Sequence, residues 1–247
     1  MAIASSVAGR AKGRPILVVC NKNQEVFFIT TLLERFDYSV YVAPTAAQAL
    51  DRIAVSVPDL VITDFSLPVL TGLDLLHMLK TDAQTSALPV VFLVPVLDQH
   101  TANRCIDNGA VGVINLPVQA EELYRTVQSV IEPVPRSNIR IEARLALMID
   151  NMPLADGDGR CRVEISEQGM FVPVLKPYAK DDRVALRLQI ADRTIDAECA
   201  VLYSGNAVAG LEKTPGIGLK FVNIMPQDQD VIRKFIRDEV TRGIKAE

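Results

Sequence analysis

The 247-residue sequence predicts two domains, a doubly wound α/β domain with a five-stranded parallel sheet and then an antiparallel β-barrel with a C-terminal helix. Up to residue 132, short apolar runs alternate with segments of helical periodicity, which is typical of a parallel sheet covered by helices. From residue 139, apolar residues recur at every second position in segments separated by turn residues. That period is typical of antiparallel strands, most often in a barrel.

The first domain is predicted to contain five strands, each followed by an amphipathic helix. Apolar or alternating runs predict the strands at 15–20, 38–43, 58–64, 89–96 and 111–116. Apolar residues three and four positions apart predict the helices at 24–36, 45–56, 71–82, 99–110 and 119–132. Thr45 is a predicted N-cap of the second helix, because its hydroxyl can accept a hydrogen bond from the first turn.

The prolines and polar residues of EPVPRSN (132–138) predict a short, stiff linker. We therefore divide the chain into a flexible tail, an α/β domain, a linker and a barrel domain, at residues 1–13, 14–132, 133–138 and 139–247. The barrel strands are predicted at 139–149, 159–166, 169–174, 183–190, 194–204 and 216–224. An amphipathic helix at 227–240 follows the last strand.

Composition argues against several functional classes. The formal net charge is −4, with no basic stripe, which disfavours binding to duplex nucleic acid. The four cysteines are far apart and there are two histidines, so we expect reduced thiols and no metal site. No apolar run approaches the ~20 residues of a membrane span, and we expect a cytoplasmic protein.

Four stretches of the first domain, PILVV, PDLVITDFSLPVLTG, PVVFLV and GAVGVINLP, resemble the receiver domain of bacterial response regulators. That domain has a flavodoxin-like fold. The resemblance places Asp64, at the end of the third strand, at the position that accepts a phosphoryl group from a histidine kinase. It therefore implies two-component signal transduction.

Four other positions depart from the receiver pattern. Cys20 and Asn21 replace two carboxylates that help hold Mg²⁺ in the family, Val94 replaces a Thr or Ser, and Leu116 replaces a Lys. Because phosphoryl transfer depends on positioning and charge neutralisation, these losses predict a pseudo-receiver without metal or phosphorylation. We expect it to bind an unidentified protein partner, with a homodimer among the expected assemblies.

Three stretches of the second domain, RSNIR (136–140), EISEQG (164–169) and GIGLKFVNIMPQDQDVIRKFI (216–236), resemble the PilZ domain, which binds cyclic di-GMP. Arginine presents a planar fork of donors that fits phosphate oxygens or the guanine edge. The resemblance implies that the ligand contacts Arg136, Arg140, Glu164, Ser166 and Gly169, with Glu164 in place of the family's Asp or Asn. RIEAR (140–144) offers a second register, in which Arg144 takes part.

These observations predict a non-enzymatic signalling protein that responds to cyclic di-GMP and needs no cofactor. Because Arg136 lies in the linker, we expect the ligand to order the linker and change the angle between the domains. The alternative is a ligand-independent adaptor for motility or surface machinery, in which both domains are degenerate. A third hypothesis, a phosphoacceptor or enzyme that uses Asp64, conflicts with the four departures.

Overall fold

The computed structural model describes residues 13–95, 98–133, 135–136, 138–154, 157–174, 178–206 and 215–244. These residues fall into two units, one of residues 13–136 with 243–244 and one of residues 138–242. Most of the predicted tail and two positions of the predicted linker, 134 and 137, lie outside the described residues.

The first unit is a five-stranded sheet with five helices, as predicted. Its strands are β1 (Pro15–Val19), β2 (Ser39–Ala43), β3 (Leu60–Asp64), β4 (Val90–Pro95) and β5 (Gly112–Leu116). Its helices are α1 (Asn23–Arg35), α2 (Ala46–Val55), α3 (Gly72–Thr81), α4 (Gln99–Asp107) and α5 (Ala120–Ile131). All pairings are parallel and the order is β2-β1-β3-β4-β5, so the chain reverses direction across the sheet between β1 and β3. In such sheets the crevice outside the carboxyl ends of these two strands is the usual functional edge.

Packing at the end of β3 fixes where Asp64 lies. Every residue of β3 is buried, because helices cover both faces of the sheet. The start of α3 approaches β3 so closely that a Cβ atom at Gly72 would lie 2.4 Å from the carbonyl oxygen of Asp64. A capping box between Thr71 and Asp74 holds this first turn of α3 in place.

The second unit is a closed barrel with a C-terminal helix, also as predicted. Its elements are β6 (Ile141–Ile149), β7 (Met152–Leu154), β8 (Cys161–Ser166), β9 (Gly169–Val172), β10 (Arg183–Ile190), β11 (Arg193–Asn206), β12 (Pro215–Ile224) and α6 (Pro226–Thr241). The order is β10-β11-β12-β9-β8-β6-β7, and a further pairing of β10 with β6 closes a barrel of six strands.

The short strand β7 was not predicted. It folds back on β6 through Asp150 and Asn151, whose φ angles of 51° and 63° are left-handed. Aspartate and asparagine are among the residues that tolerate this conformation in a tight hairpin turn. Three residues are too few for a recognisable alternation, so the sequence pattern does not distinguish β7 from a loop.

Alternation along the strands builds the barrel core. In β6 the buried residues are Leu145, Leu147 and Ile149, and in β10 they recur at every second position from Val184 to Ile190. Helix α6 buries Ile232, Ile236 and Val240, which are spaced by four residues along one helix face. Among the described residues, no helix combines the length and apolar character needed to cross a membrane.

Candidate functional site

A cavity of about 350 Å³ lies beside the β8–β9 hairpin of the barrel. Four residues that the sequence analysis selected line it together: Arg140, Glu164, Ser166 and Gly169. The strand register explains this grouping. Ile141 of β6 pairs with Ile165 of β8, and Glu142 pairs with Glu164. Because side chains alternate along strands, Arg140 therefore lies on the same sheet face as Glu164 and Ser166.

Ser166 and Gly169 shape the hairpin itself. The Ser166 hydroxyl donates a hydrogen bond of 3.0 Å to the carbonyl oxygen of Gly169, and this bond is buried. A Cβ atom at Gly169 would lie 2.0 Å from the carbonyl oxygen of Leu219, so only glycine lets β9 approach β12 this closely. Their contacts within the protein are therefore structural. Their predicted contact with a ligand stays a prediction.

Helix α6 holds the turn of this hairpin. The Arg233 Nε atom lies 3.3 Å from the Glu167 Oε2 atom, and Gln229 donates a 3.5 Å hydrogen bond to the Glu167 carbonyl oxygen. Near its start, α6 is anchored by an ion pair of 2.6 Å between the buried Asp228 and Arg193. Polar contacts thus join helix α6 to the β8–β9 hairpin, which lines the cavity.

The three candidate arginines lie in different places. Arg140 is exposed and lines the cavity. Arg144 forms a 2.8 Å ion pair with Asp158 and lines a different cavity. Arg136 belongs to the first unit, where its main-chain N–H donates a 2.9 Å hydrogen bond to the Gln128 side chain. In the described part of the barrel, Arg140 is therefore the candidate arginine that joins Glu164.

Tyr203 and Lys220 also line the cavity, and sequence reasoning missed both. Tyr203 packs on Gly218, its partner on β12, where a Cβ atom would lie 2.4 Å from the ring. Its side chain nevertheless stays 40% exposed. Strict alternation after the buried Val201 would turn Tyr203 inward, but the register shifts between these two residues. Such a β-bulge re-aims the side chains that follow it.

Charge in this cavity is mixed. Arg140 and Lys220 contribute two positive charges, and Glu164 contributes one carboxylate. The cations suit an anion such as a phosphate, while the exposed tyrosine ring suits the flat face of a base. The cavity thus combines two cations with an exposed aromatic ring.

The second group of candidate residues lies at the carboxyl edge of the parallel sheet. Asp64 is 2% exposed, and its Oδ1 atom accepts a 2.9 Å hydrogen bond from the Ser66 N–H. The Lys22 Nζ atom lies 3.0 Å from the other oxygen, Oδ2, which is fully buried. This distance makes the two groups an ion pair. Lys22 also lies 3.5 Å from Glu25.

The residues at the four positions that differ from the receiver pattern supply little charge to this edge of the sheet. Cys20 is buried, its Sγ atom lies 3.7 Å from the Glu25 carboxylate, and burial raises the pKa of its thiol to about 11. Val94 is buried at the end of β4, and Leu116 is half-buried at the end of β5. Asn21 is exposed. A protonated thiol and two aliphatic side chains do not provide the oxygen ligands that Mg²⁺ requires.

Family models match two successive parts of the chain, and two similar proteins each match less than half of it. The response regulator receiver domain matches residues 16–128, and the PilZ domain matches residues 135–238. Protein PilH of Pseudomonas aeruginosa is 31% identical over 117 residues, which cover 47% of this chain and 96% of PilH. The receiver domain of NtrX from Brucella abortus is 30% identical, with coverage of 48% of this chain and 99% of that one and a TM-score of 0.46.

Two longer relatives also match less than half of this chain. Hybrid signal transduction histidine kinase D of Dictyostelium discoideum is 29% identical over 115 residues, which cover 46% of this chain but 7% of the kinase. Sensor histidine kinase TmoS of Ectopseudomonas mendocina is 32% identical over 95 residues, 38% of this chain and 10% of that protein. The chain thus spans a small fraction of either kinase. It belongs to the response regulator receiver family over its first half and continues into a PilZ domain, and is therefore a signalling protein with a domain of the type that binds cyclic di-GMP.

Proposed function

We propose that this protein is a non-enzymatic effector that binds cyclic di-GMP in the barrel cavity through Arg140. The observation that carries the proposal is the convergence of Arg140, Glu164, Ser166 and Gly169 on one cavity. A guanidinium can grip a phosphate, or the O6 and N7 atoms of guanine, through two parallel hydrogen bonds. Lys220 adds a second positive charge on the same cavity.

We further propose that the receiver domain works as a protein-interaction module and not as a phosphoacceptor. Cys20, Val94 and Leu116 lack the charges and the hydroxyl that the receiver chemistry uses. Asp64 is buried against Lys22, which favours a structural role for its carboxylate. Incubation with a small phosphoryl donor, followed by mass spectrometry, tests this. An adduct that Asp64→Asn abolishes would contradict it.

Calorimetric titration of the full chain with cyclic di-GMP tests ligand binding. Arg140→Ala is expected to weaken binding by roughly tenfold to a hundredfold, because a hydrogen bond to a charged group is worth about 1.5–3 kcal/mol. Arg144→Ala is the matched control, since it removes the same side chain from a strand position outside the cavity. It should leave affinity within about twofold. If both variants lost the same amount of affinity for cyclic di-GMP, the proposal that Arg140 contacts the ligand would be wrong.

Arg136 needs its own variant, because it lies four residues before Arg140 but in the other unit. If the ligand engages Arg136 as the family motif implies, Arg136→Ala should weaken binding and the ligand should alter small-angle scattering of the full chain. Unchanged scattering at saturation would contradict a ligand-driven change between the domains. That result would not contradict the proposed binding of the ligand through Arg140.

A ligand-independent adaptor is the second candidate function. Glu164 favours it, because its side chain is one methylene longer than that of the family's Asp or Asn. If titration with cyclic di-GMP gave neither heat nor a shift in melting temperature, the adaptor would be the better description. Affinity capture of partners on the receiver domain would then be the next experiment.

A further inference from the structure

The buried carboxylate of Asp64 needs a counter-charge. A carboxylate removed from water is unfavourable unless it is paired and hydrogen-bonded. Its Oδ1 atom is satisfied by the Ser66 N–H, but its Oδ2 atom is buried without a hydrogen-bond partner among the described residues. The Lys22 ammonium, 3.0 Å away, is the positive charge that faces this oxygen.

Local structure aims Lys22 at this point. Lys22 is the N-cap residue of α1 and follows β1 closely, at the point where the sheet changes strand order. Its side chain therefore reaches the end of β3, where it meets Asp64, and it also approaches Glu25 in the first turn of α1. Burial opposes the lysine charge, but the interactions with Asp64 and Glu25 outweigh it and raise the pKa of Lys22.

The residues around Lys22 do not fit the divalent metal that the receiver family uses. Ligand atoms of Cys20, Glu25 and Asp64 lie within 4.8 Å of one another. Sulfur is a poor ligand for a hard cation such as Mg²⁺, however, and the lysine ammonium already lies against both carboxylates. A metal ion at this position would have to displace the ammonium or accept its repulsion.

We propose that Lys22 is the resident cation of the receiver domain and occupies the electrostatic role of the divalent metal. Because this ammonium belongs to a side chain of the protein, its presence beside Asp64 does not depend on the concentration of metal ions in solution. The Asp64 carboxylate then keeps a counter-charge in the absence of bound metal. This inference concerns the first unit and is independent of ligand binding by the barrel.

Mg²⁺ titration of full-chain variants by calorimetry tests the proposal. Asn21→Asp restores one family carboxylate at an exposed position, so this variant should fold. The double variant Asn21→Asp with Lys22→Ala should bind Mg²⁺ at least about tenfold more tightly than Asn21→Asp alone, because the competing charge is gone.

Two controls make the result specific. Asn21→Asp with Arg52→Ala removes a positive charge from an exposed position on α2, and should bind Mg²⁺ like Asn21→Asp. Thermal melts of each variant confirm folding. Equal Mg²⁺ affinity with and without Lys22, or no binding in either variant, would overturn the proposal. An equal gain in the Arg52 control would also overturn it, because net charge would then explain the effect.

Discussion

Replacement of Lys22 by Met should destabilise the first unit by leaving the Asp64 carboxylate without its cation. At 3.0 Å, two unit charges attract by about 5.5 kcal/mol at an effective dielectric constant of about 20 and by about 1.4 kcal/mol at that of water. The Asp64 side chain is 3% exposed but that of Lys22 is 48% exposed, so solvent screens the pair. We therefore expect Lys22→Met to lower the free energy of unfolding by about 2 kcal/mol.

A double-mutant cycle with Asp64→Asn isolates the pair. Asn keeps the size of the side chain and removes its charge, so Lys22→Met should cost much less in the Asp64→Asn background. The coupling should be about 2 kcal/mol. Urea-dependent amide hydrogen exchange, read by mass spectrometry on peptides that cover β1 and β3, reports opening of this unit separately from the barrel.

Additivity would refute this reasoning. If Lys22→Met costs the same with Asp and with Asn at position 64, to within about 0.5 kcal/mol, the two side chains do not interact appreciably. Arg52→Met, at an exposed position of the same unit, is the control for loss of a positive charge. Its effect should stay within about 0.5 kcal/mol.

Three further predictions concern the barrel and the thiols. Tyr203→Ala should weaken cyclic di-GMP binding by roughly fivefold to a hundredfold, because base stacking on an aromatic ring is worth about 1–3 kcal/mol. Tyr203→Phe should preserve binding in the same calorimetric assay, and equal losses would contradict a stacking role. Gly169→Ala should lower the free energy of unfolding by about 2 kcal/mol in urea, because the new Cβ atom meets the Leu219 carbonyl at 2.0 Å. Loss of binding with unchanged stability would refute that structural role. Burial raises the pKa of Cys20 to about 11 and of Cys199 to about 12, from an ordinary value of 9.0. The unfolded chain therefore releases protons that the folded protein keeps, so stability should fall as pH rises above 9.0, and Cys199→Ala should reduce the slope. An unchanged slope in that variant would contradict the burial argument.

The fold could be predicted because both sequence periods survive in the structure. The apolar run of β3 is buried at every position, as expected for a strand covered on both faces, and β10 alternates strictly. Two features were missed where this alternation is broken locally. The bulge after Val201 turns Tyr203 outward, and the left-handed turn at Asp150 and Asn151 adds β7.

Part of the barrel cavity was also predictable, because neighbouring strands bring Arg140 and Glu164 together through their register. The role of Lys22 was not. A lysine beside a strand end usually lies in solvent, and its contact with Asp64 depends on the direction of a flexible side chain across the edge of the sheet. A sequence pattern carries no information about that direction.

The contact between α6 and the β8–β9 turn has a thermodynamic consequence. If the ligand alters the turn at Glu167, it must also alter the energy of the Arg233 contact, so the ligand affinity and the position of the last helix are linked. Linkage is reciprocal. If a partner protein binds one position of α6 preferentially, it changes the affinity for the nucleotide by a certain factor, and the nucleotide changes the affinity for that partner by the same factor. Binding of a partner to the outer face of α6 would then depend on whether the cavity holds a ligand, although the partner does not contact the cavity.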